Sequence, residues 1–267
     1  MSLAIERSTV TRAEYERDGY LILNRSLIES TVIQRATEGM DAIRRGEYDT
    51  GRPPQPSPWN PGDDPNVLCK IEMPQMANRA IFELVSHPAI GAAAAAVTGA
   101  SMVQVWWVQL LYKPSLPPGV TGKTSVGWHQ DRHYWGQWEP GSELLTAWVA
   151  LSDVTPASGP MVFVRGSQSW GLQQGSDFFA QTDIRAGFNV PQGRTWEETA
   201  AVLPPGGFSL HHNLTIHGSG PNTAGFPRRG FAIHLRTSNS RPVNDQRTGL
   251  TAFIDDPSAC PVIFGHT

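Results

Sequence analysis

Apolar positions along this chain change their spacing about a third of the way in. Up to about residue 100 they recur at helical intervals. Ile33, Ala36, Met40 and Ile43 share one face of a helix predicted over 29–45, and the apolar run 81–97 predicts another, interrupted near Pro88. A shorter helix is expected from Thr11, an N-cap with Glu14 in capping-box position, to a turn near Gly19; the short strand Tyr20-Leu21-Ile22-Leu23 follows. Pro53, Pro54, Pro56, Pro58, Pro61 and Pro65 exclude regular structure from 49–65, which reads as a loop or lid. From Met102 onward the pattern turns to short β-rich runs: 102–112, 144–151, 161–164, 208–212 and 230–237. Helices first and strands after, without β-α-β alternation, predict a mainly β protein: an antiparallel sandwich with flanking helices. We expect one domain over 1–267, with a helical flank at 1–100 and a β core at 101–240. The polar, weakly periodic stretch 171–199 is the expected lid insertion.

Composition narrows the partners. The formal net charge is −3, and Lys70, Lys113 and Lys123 are the only lysines, so no basic patch suggests nucleic acid or an anionic membrane. An anionic ligand must be held by a few placed groups. Cys69 and Cys260 belong to no C-x-x-C motif and read as reduced thiols. With Glu6 and Arg7 after a very short apolar start, and with 90–100 too short to span a bilayer, a cytoplasmic protein is expected, acting on a small molecule.

Two segments carry candidate chemistry. Trp128-His129-Gln130-Asp131 places an imidazole and a carboxylate two residues apart, on the same face if the chain is extended. His217-Gly218-Ser219-Gly220-Pro221-Asn222 offers a second imidazole in a turn after strand-like sequence. Two histidines and one carboxylate are the donor set that leaves a ferrous ion open for a bidentate co-substrate and O2. Arg228 adds a planar, charged fork suited to the far carboxylate of 2-oxoglutarate, with the Ser219 hydroxyl beside it. Arg228 is expected to begin a returning strand beside His217. On that strand Arg228, Gly230, Ala232 and His234 face a cavity, and Phe231, Ile233 and Leu235 face the helices. Each residue also has a plainer reading. His129 and Asp131 alone make a surface pair, Trp148 is equally a core residue, and Gln130, His133, Tyr134 and Trp135 either line a substrate mouth or simply pack. The rival functions are a cupin-like Zn(II) or Mn(II) hydrolase or isomerase, and a catalytically inactive ligand-binding jelly roll.

The His129-Gln130-Asp131 and His217-Gly218-Ser219-Gly220 segments, with Asn222 and Arg228, resemble the phytanoyl-CoA dioxygenase-like family of Fe(II)/2-oxoglutarate oxygenases. That resemblance runs from about Asp18 to Arg236. It implies a double-stranded β-helix, or cupin-like jelly roll, that consumes O2 and 2-oxoglutarate and releases succinate and CO2, with ascorbate as the in vitro reductant. It further implies that Trp148 flanks the co-substrate and that Lys70 and Gln109 contact it. The chain departs from the family at Gly166-Ser167-Gln168, where a histidine usually closes the triplet. The family takes fatty acyl-CoA esters, amino-acid-derived solutes and natural products. A CoA ester calls for several basic groups for its phosphates, and no such cluster is present, so a small, largely apolar substrate is expected.

Overall fold

The computed structural model describes residues 12–116, 120 and 122–266; the expected N-cap at Thr11 lies outside them. Helix α1 (Arg12–Asp18) leads into strand β1 (Tyr20–Leu23), and α2 spans Ser30–Arg44. The buried face of α2 contains Ile33, Ala36, Met40 and Ile43, as the periodicity predicts. The run expected as one interrupted helix is two, α3 (Arg79–Val85) and α4 (Pro88–Thr98). Asn78 caps α3 by accepting from the Ile81 N–H. His87 caps α4 by accepting from the Ala89 N–H, and Pro88 takes the first turn, where its missing donor costs nothing. By length and composition Arg79–Thr98 is apolar enough to cross a membrane, with mean hydropathy 1.5. Its apolar side chains instead fill the core beneath the large sheet. Gly91 lets α4 lie against the C-terminal strand: a Cβ there would stand 2.3 Å from the Ile263 carbonyl oxygen.

Among the described residues ten further strands follow β1: β2 (Cys69–Glu72), β3 (Val103–Lys113), β4 (Val126–His129), β5 (Leu144–Ala150), β6 (Val162–Val164), β7 (Glu198–Ala200), β8 (Phe208–His212), β9 (His217–Ser219), β10 (Arg228–Thr237) and β11 (Val262–Phe264). They form two antiparallel sheets. The seven-stranded sheet runs β1-β8-β5-β10-β3-β11 with β2 paired to β3, and the four-stranded sheet runs β4-β9-β6-β7. This is a cupin-like jelly roll with its helices on the large sheet. Phe231, Ile233 and Leu235 face α2 and α4, whereas Ala232 and Trp148 face inward to meet Met161 and Phe163 of the small sheet.

Two placements differ from expectation. Arg228 does begin a strand, but β10 lies in the large sheet and His217 in the small one, so the chain crosses between sheets instead of turning back beside itself. Asp131 is not on a strand: β4 ends at His129, Gln130 remains extended, and Asp131 opens a 3-10 turn, Asp131–Tyr134. The stretch 171–199 contains a 3-10 turn, Arg185–Gly187, and the start of β7.

Candidate active site

Strands β4 and β9 pair so that His129 and His217 are direct cross-strand partners, with ring centroids 4.1 Å apart. The turn after β4 swings Asp131 back toward both. Its Oδ1 lies 3.6 Å from His129 Nε2 and 3.8 Å from His217 Nε2, and one donor atom from each residue falls within 4.8 Å of the others. All three side chains are buried.

The surrounding hydrogen bonds leave one donor atom free on each residue. His129 Nδ1 is 2.8 Å from the Gly127 carbonyl and His217 Nδ1 is 3.0 Å from the Thr215 carbonyl. A carbonyl only accepts, so both rings carry the proton on Nδ1 and present a bare Nε2. Asp131 Oδ2 accepts from Thr146 Oγ1 at 2.7 Å and from His211 Nε2 at 3.2 Å, which leaves Oδ1 facing the two imidazoles. The Thr146 hydroxyl proton goes to this carboxylate, so the 2.8 Å contact between Thr146 and His234 Nδ1 is donated by the imidazole. Burial disfavours the protonated form of His217, and the nearby His129 and His211 add to this, holding its pKa well below the usual histidine value. For Asp131 burial works in the opposite direction, but the imidazoles of His217, His129 and His211 outweigh it and keep the carboxyl well below its usual range. Two imidazole Nε2 atoms and a carboxylate oxygen converging on one point are a fitting donor set for a divalent ion.

These residues line one end of a cavity of about 210 Å³ enclosed between the sheets. At the other end stands Arg228, 1% exposed, its guanidinium carbon 4.9 Å from the centroid of the Trp148 ring. One Nη donates to the Gly159 carbonyl. The Arg228 Nε and the Trp148 Nε1 are buried without a hydrogen-bond partner. Burial lowers the Arg228 pKa to about 9, so the group remains a cation at neutral pH. Ser219 lines the same end. Lys113, which sequence reasoning passed over, is fully buried behind it. Gly230 makes room for the indole: a Cβ there would stand 2.4 Å from Trp148 Cζ2. A buried cation with an unsatisfied N–H, flanked by a hydroxyl, suits a carboxylate.

The remaining expected residues divide. Gln109 lines the cavity from β3. Lys70 lines it too, but its ammonium is 2.9 Å from Glu72 Oε1 and 4.5 Å from the centroid of Phe178, so it is already paired. Tyr134 and Trp135 line the wall. Gln130 does not, which corrects its expected substrate role. Its amide nitrogen donates to the Gly171 and Leu214 carbonyls, and its oxygen accepts from the Gln173 N–H, tying the metal turn to the 171–199 stretch. His133 is corrected likewise: it is exposed and is not among the residues that line the cavity. Thr146 and Lys113 were missed because each acts on a partner distant in sequence, whereas His211, expected as a structural or supporting histidine, is the one that contacts Asp131 Oδ2. Gln168, at the family departure, donates to the Glu16 carbonyl near α1 and takes no part in the site.

Comparison with known proteins agrees with this geometry. The family model for phytanoyl-CoA dioxygenase (PhyH) matches residues 15–230. The ectoine dioxygenase of Bordetella parapertussis is 26% identical over 259 residues, covering 88% of this chain and 77% of that protein. The peroxisomal phytanoyl-CoA dioxygenase of Homo sapiens is 25% identical over 247 residues, covering 89% and 70%. The fold matches that of the epimerase SnoN, solved with Fe3+, alpha ketoglutarate and nogalamycin RO, with a TM-score of 0.68 at 24% identity over 92% of this chain and 88% of that one. The chain belongs to the phytanoyl-CoA dioxygenase family and is an iron- and 2-oxoglutarate-dependent oxygenase.

Proposed function

We propose that His129, Asp131 and His217 hold the ferrous ion, that Arg228 and Ser219 grip the far carboxylate of 2-oxoglutarate with Trp148 alongside, and that the enzyme oxidises a small, largely apolar molecule. The observation that carries this reading is the pairing of two features in one cavity: a three-donor cluster fit for a divalent ion, and a buried guanidinium with no carboxylate beside it among the described residues. A Zn(II) or Mn(II) hydrolase has no use for the second, and an inactive binding module has no use for the first.

The bound iron and co-substrate together supply an oxidant made from O2, with 2-oxoglutarate leaving as succinate and CO2. The chain's own residues bind, orient and shield. Gly127 and Thr215 fix the imidazole tautomers, and Thr146 and His211 fix which aspartate oxygen is available. Retention of Asp131 fills the position that a halide would need, so the simplest outcome is hydroxylation. Gln109 lies where it can add a contact to the co-substrate. Lys70 serves the substrate side, held by Glu72.

The substrate end is walled by Trp107, Tyr134, Trp135, Phe178 and Phe179, with Leu250. Phe178 and Phe179 come from the 171–199 stretch, which supports reading it as a lid over a single domain spanning 1–267. Cys69 and Cys260 are free, buried and in separate core clusters, which fits a cytoplasmic enzyme. The test is a succinate-release screen with Fe(II), 2-oxoglutarate and ascorbate over neutral apolar compounds and CoA esters. Turnover with the former and none with the latter is expected. Turnover confined to CoA esters would contradict the substrate reading, and no succinate beyond background under any condition would contradict the enzyme.

A further inference from the structure

Lys113 and Arg228 stand directly opposite each other in the register of β3 and β10. Both are fully buried, and neither is in ion-pair contact with a carboxylate among the described residues. Two adjacent buried cations are an expensive arrangement unless one is uncharged or an anion arrives. The hydrogen bonds distinguish these states. Lys113 Nζ donates to Ser219 Oγ at 2.6 Å and to the Gly220 carbonyl at 2.6 Å. Two acceptors match the two N–H bonds of a neutral amine, whereas an ammonium would carry a third with no acceptor among the described residues to receive it. Because Lys113 donates to Ser219, the serine's own proton is turned elsewhere, and Ser219 lines the cavity that Arg228 closes.

We propose that Lys113 is a positioning residue for the anionic tail of the co-substrate, acting through Ser219, and that the site takes up a proton on Lys113 when that carboxylate enters. This rests on the assignment of Arg228 and Ser219 to 2-oxoglutarate given above. In the free protein, burial, reinforced by the charge of Arg228, holds the Lys113 pKa well below its usual value. Arg228 is the charged group facing it from β10. From the end of β9 and the loop beyond come Ser219, Gly220 and Asn222, none of them titratable. An entering carboxylate supplies the missing counter-charge and raises that pKa. Between the free and bound values binding is coupled to protonation, so affinity weakens as pH rises, by up to about tenfold per pH unit. Below the free value Lys113 is already charged, and the dependence vanishes.

The experiment is calorimetric titration of 2-oxoglutarate into the Zn(II)-loaded protein, in phosphate and in Tris at one pH. These buffers differ in ionisation enthalpy, so the difference in measured heat counts protons. Wild type is expected to take up as much as one proton. Lys113→Met is expected to lose that uptake and to bind at least about tenfold more weakly. Ser219→Ala is expected to bind more weakly while keeping the uptake. Binding by the wild type without proton uptake overturns this proposal alone, as does a Lys113→Met protein with unchanged affinity and uptake. No binding of 2-oxoglutarate to the wild type overturns the assignment of Arg228 as well.

Discussion

A ligand triad works only if each side chain offers the right atom, and here that choice is made from behind. The Asp131 carboxylate keeps Oδ1 turned to the two imidazoles because Thr146 and His211 occupy Oδ2. Removing the stronger of these contacts in Thr146→Val leaves Oδ2 free to rotate forward. We expect divalent-metal affinity to fall by about 10- to 100-fold, measured by competition with a chelator; an unchanged affinity would show that the contact does not orient the carboxylate. For Arg228→Ala the expected change is a rise in the 2-oxoglutarate dissociation constant on the order of a hundredfold, from losing a charge-assisted pair in a buried site. Binding that stays the same would move the anchor elsewhere. The triad and Arg228 were legible in the sequence because short motifs carry them. Thr146 and Lys113 were not, since their partners Asp131 and Ser219 are brought to them by folding alone. Gln130 shows the converse: it sits inside the motif, yet its amide is fully engaged with backbone groups.

At the scale of elements, β10 does two jobs with its two faces, and Gly230 lets the inward one work. In Gly230→Ala the added methyl would meet Trp148 Cζ2 at 2.4 Å and the Val149 carbonyl at 2.8 Å. The indole must move, which should cost about 1–3 kcal/mol in denaturant unfolding and also weaken 2-oxoglutarate binding. A variant as stable as wild type and with equal affinity would contradict the packing described. The long strands β3, β5 and β10 and helix α2 were legible because they are apolar at a steady period. Strands β2, β4, β7 and β9 span three or four residues each and, unlike the equally short β1 and β6, are not unbroken apolar runs that stand out from their surroundings. Two of these short strands, β4 and β9, carry the paired imidazoles of His129 and His217.

For the whole molecule, the sequence pattern indicated a sandwich but not which strand joins which sheet. Reading 208–237 as a local hairpin put Arg228 beside His217. The jelly roll instead sends the chain across, so His217 and Arg228 reach the cavity from opposite sheets. The same architecture implies uneven stability. The large sheet is buried between helices and cavity, whereas much of 171–199 is exposed and lacks a strand ladder until β7. Native-state hydrogen exchange should find the slowest amides in β3, β5 and β10 and fast exchange across 172–187. Equal protection in both regions would contradict a lid.

The most direct test of the central claim is an anaerobic titration of the metal-free protein with Fe(II) and then 2-oxoglutarate, followed by visible absorption. A weak charge-transfer band should appear only when both are present. It should be absent in Asp131→Ala, whose circular dichroism is expected to match wild type, and should require far more 2-oxoglutarate in Arg228→Ala. If the wild type binds both molecules without the band, or if Asp131→Ala retains it, then His129, Asp131 and His217 do not hold the iron.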